Sequence, residues 1–144
     1  MAAYSKILAC LDLTEGSEQI VGKAKELASH FGAELTLLHV VEYVPVEPMG
    51  EALLPAVQIE GELVERAKLR IRELADKLGL QHCERLVHTG NIKTDVLRVA
   101  EERGIDLIVI GSRERHGVSV MFNFTEDTVL HAAPCDVLSV RLRG

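Results

Sequence analysis

Tryptophan is absent, and phenylalanine and tyrosine bring the aromatic share to only 3%. Any core must therefore be built from aliphatic side chains. No apolar run approaches the roughly 18 residues of a membrane-spanning helix. The opening stretch "MAAYSKILACLDL" reaches a charged residue, Asp12, before it could serve as a secretory leader. These absences exclude a helical membrane protein and lead to the expectation of a cytoplasmic one. Cysteine is scarce and odd in number: Cys10, Cys83 and Cys135 show no C-x-x-C spacing, which excludes a disulfide framework and a cysteine zinc site. Free thiols in apolar surroundings are expected to act as small hydrophobes. Positive charge is outweighed, 16 Lys and Arg against 22 Asp and Glu for a net charge of −6. That balance excludes the basic stripe of a nucleic-acid binder.

What is present suits a single domain over residues 1–144, with 47% hydrophobic residues. "SKILACLD" at 5–12 is an apolar run with a polar end, as in a strand covered on both faces. Ile20, Val21, Ala24, Leu27, Ala28 and Phe31 then recur at helical spacing, with Ser17 or Thr14 as candidate caps and Gly32 as a stop. "ELTLLHVVEYV" supplies a second strand near 34–42. Residues 43–61 hold Pro45, Pro48 and Pro55, three of the four prolines, and are expected to form a loop or irregular excursion with at most a short helix. Val64, Ala67, Ile71, Leu74, Ala75 and Leu78 predict a second amphipathic helix ended by Gly79. "HCERLVHT" predicts a third strand, and Ile92, Val96, Leu97 and Ala100 a helix closed by Gly104. "DLIVIG" is the most apolar strand and hence central. A last helix starting at 119 or 125 runs to 132, before Pro134 and the final strand "CDVLSVRL".

Strands alternating with helices predict an α/β fold, a parallel sheet with right-handed crossovers and helices on both faces. Ligands of such sheets bind beyond the carboxyl ends of the strands, where the strand order reverses. With strands one and four as central neighbours, Asp12, Val40, Ile110 and Gly111 line that crevice.

In order, spacing and length, "KILACLDLTEGSE", "ELTLLHVVE" and "GNIKTDVLRVAEERGIDLIVIGSRERHG…APCDVLSV" resemble the universal stress protein family, from Lys6 to Leu142. The resemblance implies a five-stranded parallel sheet of order 3-2-1-4-5, a Rossmann-like sandwich of the adenine nucleotide alpha hydrolase type. It also implies a homodimer through the last strand. One branch of the family binds ATP through Gly, two residues, Gly, nine residues, Gly, then Ser or Thr. Carried onto this chain, the first glycine is Gly111 and the hydroxyl is Thr125, but Glu114 and Phe124 replace the two glycines between. The chain thus resembles the branch typified by universal stress protein A, which lacks the motif.

The two replacements act against a phosphate. A phosphate loop presents bare backbone N–H groups at a helix N-terminus, and glycine removes the side chain that would intervene. Phe124 places a benzyl group there, and Glu114 a carboxylate; two like charges about 4 Å apart cost on the order of 4 kcal/mol at an effective dielectric of about 20. Glu126 and Asp127 already neutralise the start of the last helix, a placement that also suits the helix itself. Arg113, Arg115 and His116 are cations that would hold a phosphate in another way. Asp12 matches an aspartate that lies by the nucleotide or its metal in the binding branch; an Asp at a strand end also caps the turn that follows.

His39, His82 and His88 lack the i, i+4 partner of a helical metal site. Neither a G-x-S-x-G elbow nor a cysteine–histidine signature appears, so no catalytic residue is assigned. The expectation is a stress-response regulatory or interaction module, homodimeric through Val137, Leu138 and Val140, with an unidentified protein partner and no cofactor. The rival is an ATP- or AMP-binding sensor or weak ATPase using Asp12, Val40, Ile110, Gly111, Arg113, Arg115 and Thr125.

Overall fold

Ile7, Leu8 and Ala9 are all fully buried, so neighbouring positions on the first strand need cover on opposite faces of one sheet. The computed structural model describes residues 3–42, 53–112, 129 and 131–142, with the backbone alone at 53–59. In chain order it has β1 (Lys6–Leu11), α1 (Ser17–Phe31), β2 (Glu34–Val41), α2 (Leu53–Lys77), β3 (Glu84–Thr89), α3 (Ile92–Glu102), β4 (Leu107–Ser112) and β5 (Asp136–Arg141). The five strands form one sheet of order β3-β2-β1-β4-β5. Every pairing is parallel: β1 lies between β2 and β4, and β5 follows β4 with Gly111 opposite Val140. The expected α/β architecture and strand order are therefore present.

Two apolar layers sandwich the sheet. Ile7, Ala9, Leu11, Leu107 and Val109 face α1, whose Ile20, Val21, Ala24 and Ala28 fall on one helical stripe, together with Ile71 and Ala75 of α2. Leu8, Leu38, Val40, Ile108 and Ile110 face Val96, Val99 and Ala100 of α3, and Val129 joins them. Burying each such Leu, Ile or Val removes apolar surface worth about 1.5–3 kcal/mol from water.

Three local expectations differ from the structure. The first residue of α1 is Ser17 and the cap is Gly16, which makes no side-chain capping bond; the Asp12 carboxylate instead bonds the turn before the helix and the Ser17 hydroxyl, as described below. The stretch expected to be irregular to residue 61 is helical from Leu53, so α2 runs 25 residues. Pro55 is the third residue of that helix, inside the first turn, where a backbone N–H has no intrahelical acceptor to lose. Gly61 lowers helix propensity by about 1 kcal/mol without breaking a helix otherwise made of good formers. β3 begins at Glu84, leaving His82 and Cys83 in the turn before it.

The helix stops fall as expected. Gly32 sits at φ 66°, a left-handed conformation glycine adopts without steric cost, and Ala33 N–H closes on the Ala28 carbonyl at 2.8 Å. Val129, His131 and Ala132 are helical ahead of Pro134, while the start of that last helix lies outside the described residues.

Candidate functional site

The strand order reverses between β1 and β4, so the crevice of this fold opens beyond their carboxyl ends. Asp12 stands one residue past β1 and is exposed. Its Oδ1 accepts from Thr14 N–H at 2.9 Å, Thr14 Oγ1 at 2.6 Å and Ser17 Oγ at 3.2 Å. Ser17 is only 2% exposed, so the carboxylate satisfies a buried hydroxyl as well as the Thr14 N–H in the turn before α1. Between Asp12 and Thr14, Leu13 takes φ 61°, a region that disfavours a side chain, and the Asp12 bonds hold the turn in it. The Leu11 carbonyl accepts from His39 Nδ1–H at 2.7 Å, which assigns the proton to that nitrogen.

Val40 and Ile110 are both buried and belong to the layer covered by α3. Gly111 lies within β4 rather than in a loop. A Cβ placed on it would stand 2.7 Å from Leu142 Cδ1 and 2.8 Å from Ile20 Cδ1, closer than carbon atoms approach. The bare Cα is thus filled from within the protein. Arg113, Glu114, Arg115, His116, Phe124, Thr125, Glu126 and Asp127 lie outside the described residues.

Other residues shape this end of the sheet without a signal in the apolar pattern. Glu42, just past β2, accepts the Ile92 N–H at 2.7 Å, and Gly90 N–H bonds the Val41 carbonyl at 3.1 Å. Asn91 caps α3 by accepting from Thr94 N–H at 3.1 Å; the Asn three residues before a threonine was a legible cap. Asp95 is buried and pairs with Arg98, and its Oδ2 lies 2.6 Å from where a Gly90 Cβ would stand. His88 Nδ1 is buried without a hydrogen-bond partner among the described residues. A cavity of about 260 Å³ between α1 and α2, lined by Leu13, Thr14, Ser17, Arg70, Leu74 and Lys77, touches neither Asp12 nor Val40, Ile110 or Gly111.

Burial disfavours the thiolate at each cysteine. Burial, and to a lesser degree Cys135, pushes Cys10 up to about 12. Burial pushes Cys83 up to about 11, although Arg85 acts the other way, and its Sγ donates to the Leu35 carbonyl at 2.8 Å. Among the described residues no three His, Cys, Asp or Glu side chains gather as metal ligands, and no helix is long and apolar enough to cross a membrane.

A five-stranded parallel sheet reversing between β1 and β4, with an aspartate at the end of β1, defines a Rossmann-like α/β protein. The model of the universal stress protein family matches residues 3–141, and this chain belongs to that family. Universal stress protein A homolog 2 of Coxiella burnetii is 39% identical over all of this chain and 99% of its own length. Universal stress protein UspA from Lactobacillus plantarum superposes with a TM-score of 0.83 at 24% identity, covering 98% of this chain and 100% of its own. A universal stress protein crystallised in complex with cAMP superposes with a TM-score of 0.65 at 21% identity, covering 96% of this chain and 98% of its own.

Proposed function

We propose that this universal stress protein is a cytoplasmic, homodimeric regulatory or interaction module of the stress response that does not bind ATP tightly. The observation that carries the proposal is the occupancy of Gly111. In a phosphate loop a glycine serves the ligand, whereas here packing alone calls for one, because Leu142 and Ile20 occupy the space a Cβ would take. Asp12 likewise has a structural duty in the β1–α1 turn. With Glu114 and Phe124 standing at the motif's other glycine positions, all three glycine positions and Asp12 have an account without a nucleotide.

The dimer is motivated by β5, whose outer edge meets no further strand among the described residues. Val137, Leu138 and Val140 on it are half-buried. An apolar edge strand invites pairing, and a twofold axis lets β5 pair antiparallel with its own copy. Sedimentation at micromolar concentration should give twice the 15.8 kDa chain mass; a species of single mass contradicts the dimer.

A second function has one observation in its favour. Gly111 and Thr125 survive at the ends of the motif with Arg113 and Arg115 beside them, the set an ATP- or AMP-binding sensor or weak ATPase would use. A relative in fold carries cAMP. Purified protein, denatured and chromatographed at the adenine absorbance, separates the two. The module releases no nucleotide; adenine nucleotide near one per chain would establish the sensor.

A further inference from the structure

Side chains alternate along a strand, so Leu107, Val109 and residue 111 address the same face of the sheet. Leu107 and Val109 indeed pack in the α1 layer. At 111 there is no side chain, and the vacancy is filled from two directions: by Ile20, in the first turn of α1, and by Leu142, one residue past β5. Leu142 is at the end of its own alternating series, since Leu138 and Val140 pack against the same layer. Its N–H bonds the Ser112 carbonyl at 2.8 Å, which fixes the β5 exit to the β4 exit by backbone and side chain together. It is only 8% exposed.

We infer that Gly111 is the seat of Leu142 and that this contact couples the β5 edge to the switch-point crevice. The inference rests on the β5 dimer proposed above and adds a means of regulating it. Ile20 and Leu142 take up the space a side chain at 111 would need, and a close-packed interior has few voids to absorb their displacement. A ligand or substitution that lifts the β4 exit at Gly111 must displace Leu142, and with it the end of the strand that pairs with the second copy. Occupancy of the crevice and dimerisation are then linked, each altering the equilibrium of the other.

A double-mutant cycle on the full chain tests this, with dimer dissociation constants from sedimentation and folding checked by circular dichroism. Leu142→Ala creates no overlap and buries too much of its side chain to reach a partner directly. It should nevertheless weaken the dimer at least about tenfold, Gly111→Ala should do the same, and the double variant should be within about threefold of the worse single one, the non-additivity expected of residues in contact. Should Gly111→Ala fail to fold, the Leu142→Ala result decides alone. A dimer constant unchanged in folded Leu142→Ala, or additive losses in the double variant, overturns the coupling and leaves the dimer standing. A monomeric wild type overturns both.

Discussion

Replacing Asp12 with alanine separates a residue kept for the fold from one kept for a ligand. The side chain's Oδ1 accepts from Thr14 N–H, Thr14 Oγ1 and Ser17 Oγ. Thr14 is exposed, so water can replace the acceptor there, but Ser17 is 2% exposed. Its hydroxyl would be left buried and unbonded, at a cost of about 1–3 kcal/mol. With water entering the space left by the carboxylate, the loss should be near 2 kcal/mol, or a fall in Tm of about 6 °C for a chain of this size. Asp12→Ala/Ser17→Ala should recover part of the loss, because removing both partners leaves no stranded group. Thermal unfolding followed by circular dichroism reads all three proteins. An Asp12→Ala variant as stable as wild type, or more stable, would refute the structural role and mark the carboxylate as a strained ligand group.

Three further outcomes are expected. The raised Cys10 and Cys83 values mean that the fold favours the protonated thiols: their contribution is complete below the ordinary value of 9.0 and lost as pH rises through about 11 to about 12. Denaturant midpoints should fall above pH 9.0 in wild type and less in Cys10→Ala/Cys83→Ala, and iodoacetamide should label native Cys10 far more slowly than the unfolded chain. Burial tends to raise Asp106, but hydrogen bonds from Ser5 N–H, Lys6 N–H and Ser5 Oγ outweigh it and hold the carboxyl below 3.8. Its contribution is therefore present above 3.8 and lost as pH falls through the lowered value, so Asp106→Asn should flatten the acid side of the stability profile; an unchanged slope would contradict it. Glu114→Gly/Phe124→Gly should strengthen ATP binding at least about tenfold, since removing even part of the like-charge term is worth more than 1.4 kcal/mol; unchanged binding by calorimetry would contradict the blocking role of those side chains.

The sheet was legible because strands buried on both faces are continuous apolar runs, and the glycines at 32, 79 and 104 punctuate the helices between them. The helical stretch from Leu53 was not, because a proline in a first turn and a proline in a loop look alike without knowing where the turn begins. At the site, Asp12 could be picked out as the polar end of a strand, and its capping role could be weighed. Its use of Ser17 could not: the capping pattern favours a side chain at the residue before the helix, and that residue is Gly16. Gly111 was legible as a glycine, but its packing against Ile20 and Leu142 was not. Its neighbours Ile20 and Leu142 are distant in sequence, and only the parallel register that sets Gly111 beside Val140 brings the β5 exit over it. The same holds for Glu42, whose bond to Ile92 N–H crosses 50 positions of chain.

Calorimetric titration of the purified wild-type chain with ATP and Mg²⁺ tests the central claim most directly. With Glu114 and Phe124 standing where the ATP-binding motif has glycines, the chain should show no saturable heat below about 100 μM ligand, a binding free energy weaker than about −5.5 kcal/mol. Saturation with a dissociation constant tighter than about 10 μM, near −7 kcal/mol, would contradict it.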